Sequence, residues 1–154
     1  MMQKKQSGFS IEIFLLLVEG ALRSIPFNAV IALLLSLDFL YNKVPASLIV
    51  LWLLVIISLV FTRWICCRLL IKNGYFRIKY RSSFMIFYVL TFLMGISWGA
   101  SYFIFLPYFN HTNEAVFIVV LGGLAAGALV SMSMCLPAYY AYVIPMFLPI
   151  IIYN

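Results

Sequence analysis

Read for polarity alone, the chain is a series of long apolar blocks separated by short polar turns. The blocks cover residues 26–41, 46–67, 83–105, 115–132 and 137–153. Their length and continuity predict membrane-crossing helices rather than the alternating strands of a soluble sheet. The first block rises only about 24 Å as a helix, short of the ~30 Å hydrocarbon core, so it is expected to borrow a turn upstream. Upstream, Glu12, Glu19 and Arg23 share helical spacing among apolar residues. That is the pattern of an amphipathic juxtamembrane helix over residues 1–25, with Pro26 placed to start or kink the first span. Lys4 and Lys5 ahead of the apolar 13–18 stretch imitate a signal peptide. The stretch is short, bracketed by Glu12 and Glu19, and lacks a small-residue cleavage pattern, so it is expected to be retained. The expected fold is an all-α integral membrane bundle of about five transmembrane helices over 26–154, preceded by that juxtamembrane helix.

Composition sharpens the class. Of 154 residues, 66% are hydrophobic and 9% charged, against about 25% charged in soluble domains; mean hydropathy is +1.14. A soluble fold of this size could not hide so much apolar surface. The net charge of +6 is concentrated: Arg63, Arg68, Lys72, Arg77, Lys79 and Arg81 are six of the ten basic residues. A basic cluster between two spans reads as a cytoplasmic loop whose partners are anionic lipid headgroups rather than nucleic acid, at about 1 kcal/mol per basic residue. The same rule puts the N-terminus and the 68–82 loop in the cytoplasm, the 107–114 loop outside and, after five spans, Asn154 outside.

Catalytic and metal chemistry find little to stand on. One histidine, His111, shares the 107–114 loop with Glu114, and Cys66, Cys67 and Cys135 give no disulfide framework. There is no phosphate-binding glycine loop, no HExxH-like helix and no carboxylate pair at a plausible site. No enzymatic activity, metal or cofactor is expected.

Six features remain as candidates. Gly95 with Gly99, and Gly123 with Gly127, are glycines four apart that share a helix face and let two backbones approach closely. Packing of the third helix on the fourth is expected, with a homodimer through one of these faces as the alternative. Asp38 is an acidic residue inside a span, a candidate for ligand or proton sensing, or else an interfacial anchor bonded to Tyr102 or another hydroxyl. Trp98, in mid-span, needs either an acceptor for its indole N–H or a bound ligand. Tyr139, Tyr140 and Tyr142 bring hydroxyls to the start of the fifth span. Pro145 and Pro149 remove two backbone donors from that span and free the carbonyls of Ala141 and Pro145. The fifth helix is therefore expected to kink, to line a ligand cavity or to act as a hinge. Arg63 falls near the inner end of the second helix, with Glu19 the expected ion-pair partner of Arg63 or Arg68.

In order along the chain come Thr62-Arg63-Trp64 with its basic loop, Gly95-Ile96-Ser97-Trp98-Gly99, and the run Gly122-Gly123-Leu124-Ala125-Ala126-Gly127-Ala128. Leu136-Pro137-Ala138-Tyr139-Tyr140 is next, then Pro145 and Pro149. This order resembles the multi-helix membrane sensor region at the N-terminus of bacterial signalling proteins, including diguanylate cyclases (GGDEF, often with EAL) and hybrid sensor histidine kinases. The likeness covers residues 10–154. It implies a bacterial inner-membrane input module that senses an unknown small ligand and passes a conformational change to a cytoplasmic output domain. The competing expectations are a small transporter or channel subunit built around Asp38, Trp98 and the fifth helix, and a passive anchor or assembly subunit.

Overall fold

The computed structural model describes residues 2–72 and 80–153, with the side chains of 14–72 and 82–153. Five helices carry nearly all of it: α1 (Met2–Tyr41), α2 (Ala46–Lys72), α3 (Tyr80–Phe105), α4 (His111–Met132) and α5 (Leu136–Tyr153). One 3-10 turn, Leu106–Tyr108, comes after α3. The side chains of Arg77, Lys79 and Arg81, and Asn154, lie outside the described residues. Each helix holds a stretch long and apolar enough to cross a membrane. The outer faces expose Leu34, Leu37, Leu51, Leu54, Ile151 and Ile152, a coat suited to lipid and not to water. The chain is an all-helical, multi-pass membrane protein.

α1 differs most from expectation. It runs through Pro26 without a break, and Phe14, Leu17, Val18 and Ala21 are buried in the bundle. The stretch expected to lie at the interface is thus, from Phe14 onward, part of the span, which covers Phe14–Tyr41. The short apolar block borrows three turns rather than one, because the apolar residues from Phe14 onward are buried in the bundle. α1 ends in a Schellman-type turn. The Val44 N–H donates to the Phe39 carbonyl and the Lys43 N–H to the Leu40 carbonyl, both at 3.1 Å. Lys43 takes the left-handed conformation there, with φ of 60°, and Val44 is buried behind it. α4 starts earlier than expected, because the Asn110 side chain caps it by accepting from the Asn113 N–H at 2.9 Å.

The helices alternate in direction and close into a ring. α1 packs on α2 and α4, α2 on α3, α3 on α5, and α5 on α4, with α3 on α5 the most extensive contact. The interior differs along its length. At the end where α1 turns into α2 it is aromatic: the Phe39 ring lies 4.2 Å from Phe105, and Trp52 lies 5.4 Å from Phe105. At that end the Tyr102 hydroxyl donates to Glu114 Oε1 at 2.6 Å. The opposite end, where α2 finishes in Arg68 and Lys72, is the basic end.

Candidate functional site

The glycine motifs part company. Gly95 and Gly99 face α5, not α4. A Cβ at Gly95 would overlap the Tyr142 carbonyl oxygen and lie 2.9 Å from Pro145 Cγ. A Cβ at Gly99 would overlap the Pro145 carbonyl oxygen and lie 3.1 Å from Pro149 Cγ. α5 is continuous through both prolines, so what the structure shows at Pro145 and Pro149 is a pair of rings seated in the glycine groove of α3. The Pro145 carbonyl, deprived of its helical donor by Pro149, faces the Gly99 Cα hydrogen, a weak but fitting partner.

Gly123 and Gly127 do the reverse. A Cβ at either, or at Gly122, would meet nothing within 4 Å. The expected pairing of the third and fourth helices is therefore corrected, because the glycine face of α3 is already filled by α5 and α4 leans on α1 instead. α1 and α4 touch at the aromatic end, where the Phe39 and Phe117 ring centroids lie 6.2 Å apart, and at the basic end, where a Cβ on Gly20 would come within 2.7 Å of the Ser131 carbonyl oxygen. Between those contacts a cleft of about 520 Å³ opens. Phe27 on α1, 66% exposed, and Val130 on α4, 83% exposed, line it at the rim.

The floor of the cleft is polar. Asn28 on α1 is the centre of a buried cluster: Trp98 Nε1 donates to its Oδ1 at 3.1 Å and the Tyr142 hydroxyl to the same atom at 3.3 Å. Its own amide nitrogen donates to the Ser24 carbonyl at 3.4 Å. One side chain thus joins α1, α3 and α5 and leaves the Trp98 indole, fully buried, with its acceptor. Trp52 crosses Trp98 edge-on at 5.7 Å, and its own indole N–H has no acceptor among the described residues.

Beside this cluster lies Arg63, from α2. It is 2% exposed, lines the cleft, and has no hydrogen-bond partner at Nε or Nη2 among the described residues. Its guanidinium carbon sits 5.4 Å from the Phe87 ring centroid, close enough for a cation–π contribution but not a substitute for an anion. Among the described residues no carboxylate pairs with it: Glu19 is exposed on α1, one turn before Arg23 and not lining the cleft, and Glu114 serves Tyr102 at the other end. The expected Glu19–Arg63 pair does not form. Arg68 stacks instead on Trp64, 4.1 Å from the ring centroid. A guanidinium stays charged, so an unpaired one buried in a span stands where an anion would be strongly favoured.

The remaining expected site residues scatter. Asp38 is half-buried near the end of α1, where its carbonyl accepts from Asn42 Nδ2 at 2.8 Å; it is apart from the cleft. Tyr139 and Tyr140 pack on each other, ring centroids 5.7 Å apart, with Tyr140 exposed. The tyrosine that enters the interior is Tyr142, on the stripe Ala138, Tyr142, Met146 and Ile150. Of the candidates Trp98 and Tyr142 reach the polar centre. Sequence reasoning misses Asn28 as a site residue and gives Arg63 only a place at the inner face. The signals for them are an amide within an apolar block and an arginine well short of the end of α2. Comparison with protein-family models, with curated proteins and with solved structures found no match to the chain.

Proposed function

We propose that the chain is a membrane-embedded input module: it takes a ligand into the cleft between α1 and α4 and converts occupancy into a change in their separation. The single observation behind this reading is the open cleft ending on the Arg63 guanidinium, whose Nε and Nη2 have no partner among the described residues. A cavity of this size falls in the range of small-molecule sites, and a charge left without a partner favours whatever supplies one. The Asn28 cluster ties α1 to α3 and α5 at the cleft floor, so a ligand at Arg63 bears on the whole bundle. In this reading the basic end faces the cytoplasm of a bacterial inner membrane, where an output partner would read it. The signal is a shift between open and closed α1–α4 packing.

The test tethers the rim. In a cysteine-free chain, Phe27→Cys and Val130→Cys are joined by a short thiol-reactive linker in membranes of differing lipid composition. An input module gives a linking yield that changes with the membrane. A yield identical in every membrane contradicts the proposal and leaves a passive anchor.

A further inference from the structure

We infer that the occupant of the cleft is an anionic lipid, its headgroup paired with Arg63 and its acyl chain along the glycine face of α4. This names the ligand class of the site proposed above and rests on that reading.

Three features of the site select this chemistry. The first is charge: Arg63 is buried, lines the cleft and lacks partners at Nε and Nη2 among the described residues, while Arg23, exposed, lines the same cleft. Two guanidiniums with no carboxylate among the described residues lining the cleft ask for an anionic oxygen group, which one guanidinium can grip in bidentate fashion. The second is shape. Gly123 and Gly127 leave a smooth channel with no side chain or backbone within 4 Å of where a Cβ would stand, and Leu124 and Ala128 continue its apolar wall. A hydrocarbon chain fits there, whereas a small hydrated anion would leave the channel unfilled. The third is access. The rim residues Phe27 and Val130 lie within membrane-crossing stretches and face outward, so the cleft opens sideways into lipid. Arg63 stands nine residues before Lys72, about 13 Å from the basic end of α2. A headgroup paired with Arg63 is therefore drawn below the interface.

The experiment uses the full chain in nanodiscs of either pure phosphatidylcholine or a mixture with phosphatidylglycerol, with subsequent transfer to mild detergent. Native mass spectrometry then counts retained lipids, and thermal unfolding is recorded alongside. The expected result is one phosphatidylglycerol retained per chain, with a higher unfolding temperature than in phosphatidylcholine. Arg63→Gln lowers retention about tenfold or more, the scale of one charge-assisted contact. Gly127→Leu, which fills the channel and leaves the charge, lowers it as well. Arg68→Gln, remote from the cleft, retains the lipid. Each variant is first checked for folding by its unfolding transition in phosphatidylcholine. Should Arg63→Gln fail that check, Gly127→Leu decides alone.

Equal retention of the two lipids, or retention unchanged in both Arg63→Gln and Gly127→Leu, overturns the assignment. Stabilisation by inorganic phosphate alone also overturns it, in favour of a soluble anion. A cleft whose linking yield varies between membranes without preferring phosphatidylglycerol defeats this inference and leaves the input-module reading intact. Retained phosphatidylglycerol with an invariant linking yield defeats that reading instead.

Discussion

Two helix contacts in this bundle use glycines four apart, and they do opposite things with them. On α3, Gly95 and Gly99 bring the backbone of α5 so close that a methyl group has no room at either position. On α4, Gly123 and Gly127 border empty space. The same motif makes a locked joint in one place and a vacant groove in the other. What separates them is the partner: α5 offers proline rings and a carbonyl freed by Pro149, whereas α1 meets α4 at Gly20 and again through Phe39 and Phe117, with the cleft between those contacts. In lipid, where apolar surface alone drives no association, such fitted backbone contact decides which helices stay together.

The largest effect expected from breaking this contrast is at Gly99. Gly99→Val drives two methyl groups into the α5 backbone, and thermal unfolding in detergent should show a loss of about 3 kcal/mol, the upper range for overpacking. Gly127→Val, chemically the same change, should stay within about 0.5 kcal/mol of the parent. Equal losses at the two positions would mean that α4 is packed as tightly as α3.

Next is the polar centre. Asn28→Ala removes the acceptor of both the Trp98 indole and the Tyr142 hydroxyl. Leaving two buried donors unmatched should destabilise the fold by about 2 kcal/mol, and tryptophan emission should report the changed surroundings of Trp98. Arg63→Met has the opposite sign. In a zwitterionic detergent, replacing an unpaired buried cation by an apolar side chain of similar length should stabilise the fold by about 1 kcal/mol or more. A loss instead would reveal a partner for Arg63 within the chain. The smallest effect is at the end of α1. Lys43→Gly relieves a left-handed backbone position and should add about 0.5 kcal/mol, visible as a small rise in the unfolding temperature.

Much of this architecture is legible in the sequence, and the reason is physical. Helices that cross lipid must be long and apolar, so five spans and their approximate ends can be read from hydropathy alone. Proline is the weaker guide. Pro26 reads as a boundary, yet α1 passes through it, because neighbouring helices hold the turn that an isolated helix would lose. Pro145 and Pro149 read as a kink or hinge, and their seat in a groove is not legible, because it depends on α3 presenting Gly95 and Gly99 at matching height. The site is only partly legible. Trp98 announces its need for an acceptor, but which acceptor depends on the rotation of α1, and local spacing does not encode that. Asp38 draws attention as an ionisable residue, whereas its place near the end of α1 keeps it from the centre. Arg63 reads as an inner-face residue because its sequence distance from Lys72 is modest. The burial of its guanidinium comes from the ring closing around it, a consequence of all five helices together.

The contrast between the locked and the open contact is tested most directly by distance. Paired spin labels at exposed sites, Leu16 with Leu129 across α1 and α4 and Ile96 with Ile144 across α3 and α5, can be measured by pulsed electron spectroscopy in bilayers with and without anionic lipid. The account predicts a narrow, invariant distribution for α3–α5, and for α1–α4 a broad or two-peaked one that shifts when anionic lipid is present. Two narrow distributions that ignore the membrane would contradict it and leave a rigid anchor with an empty groove.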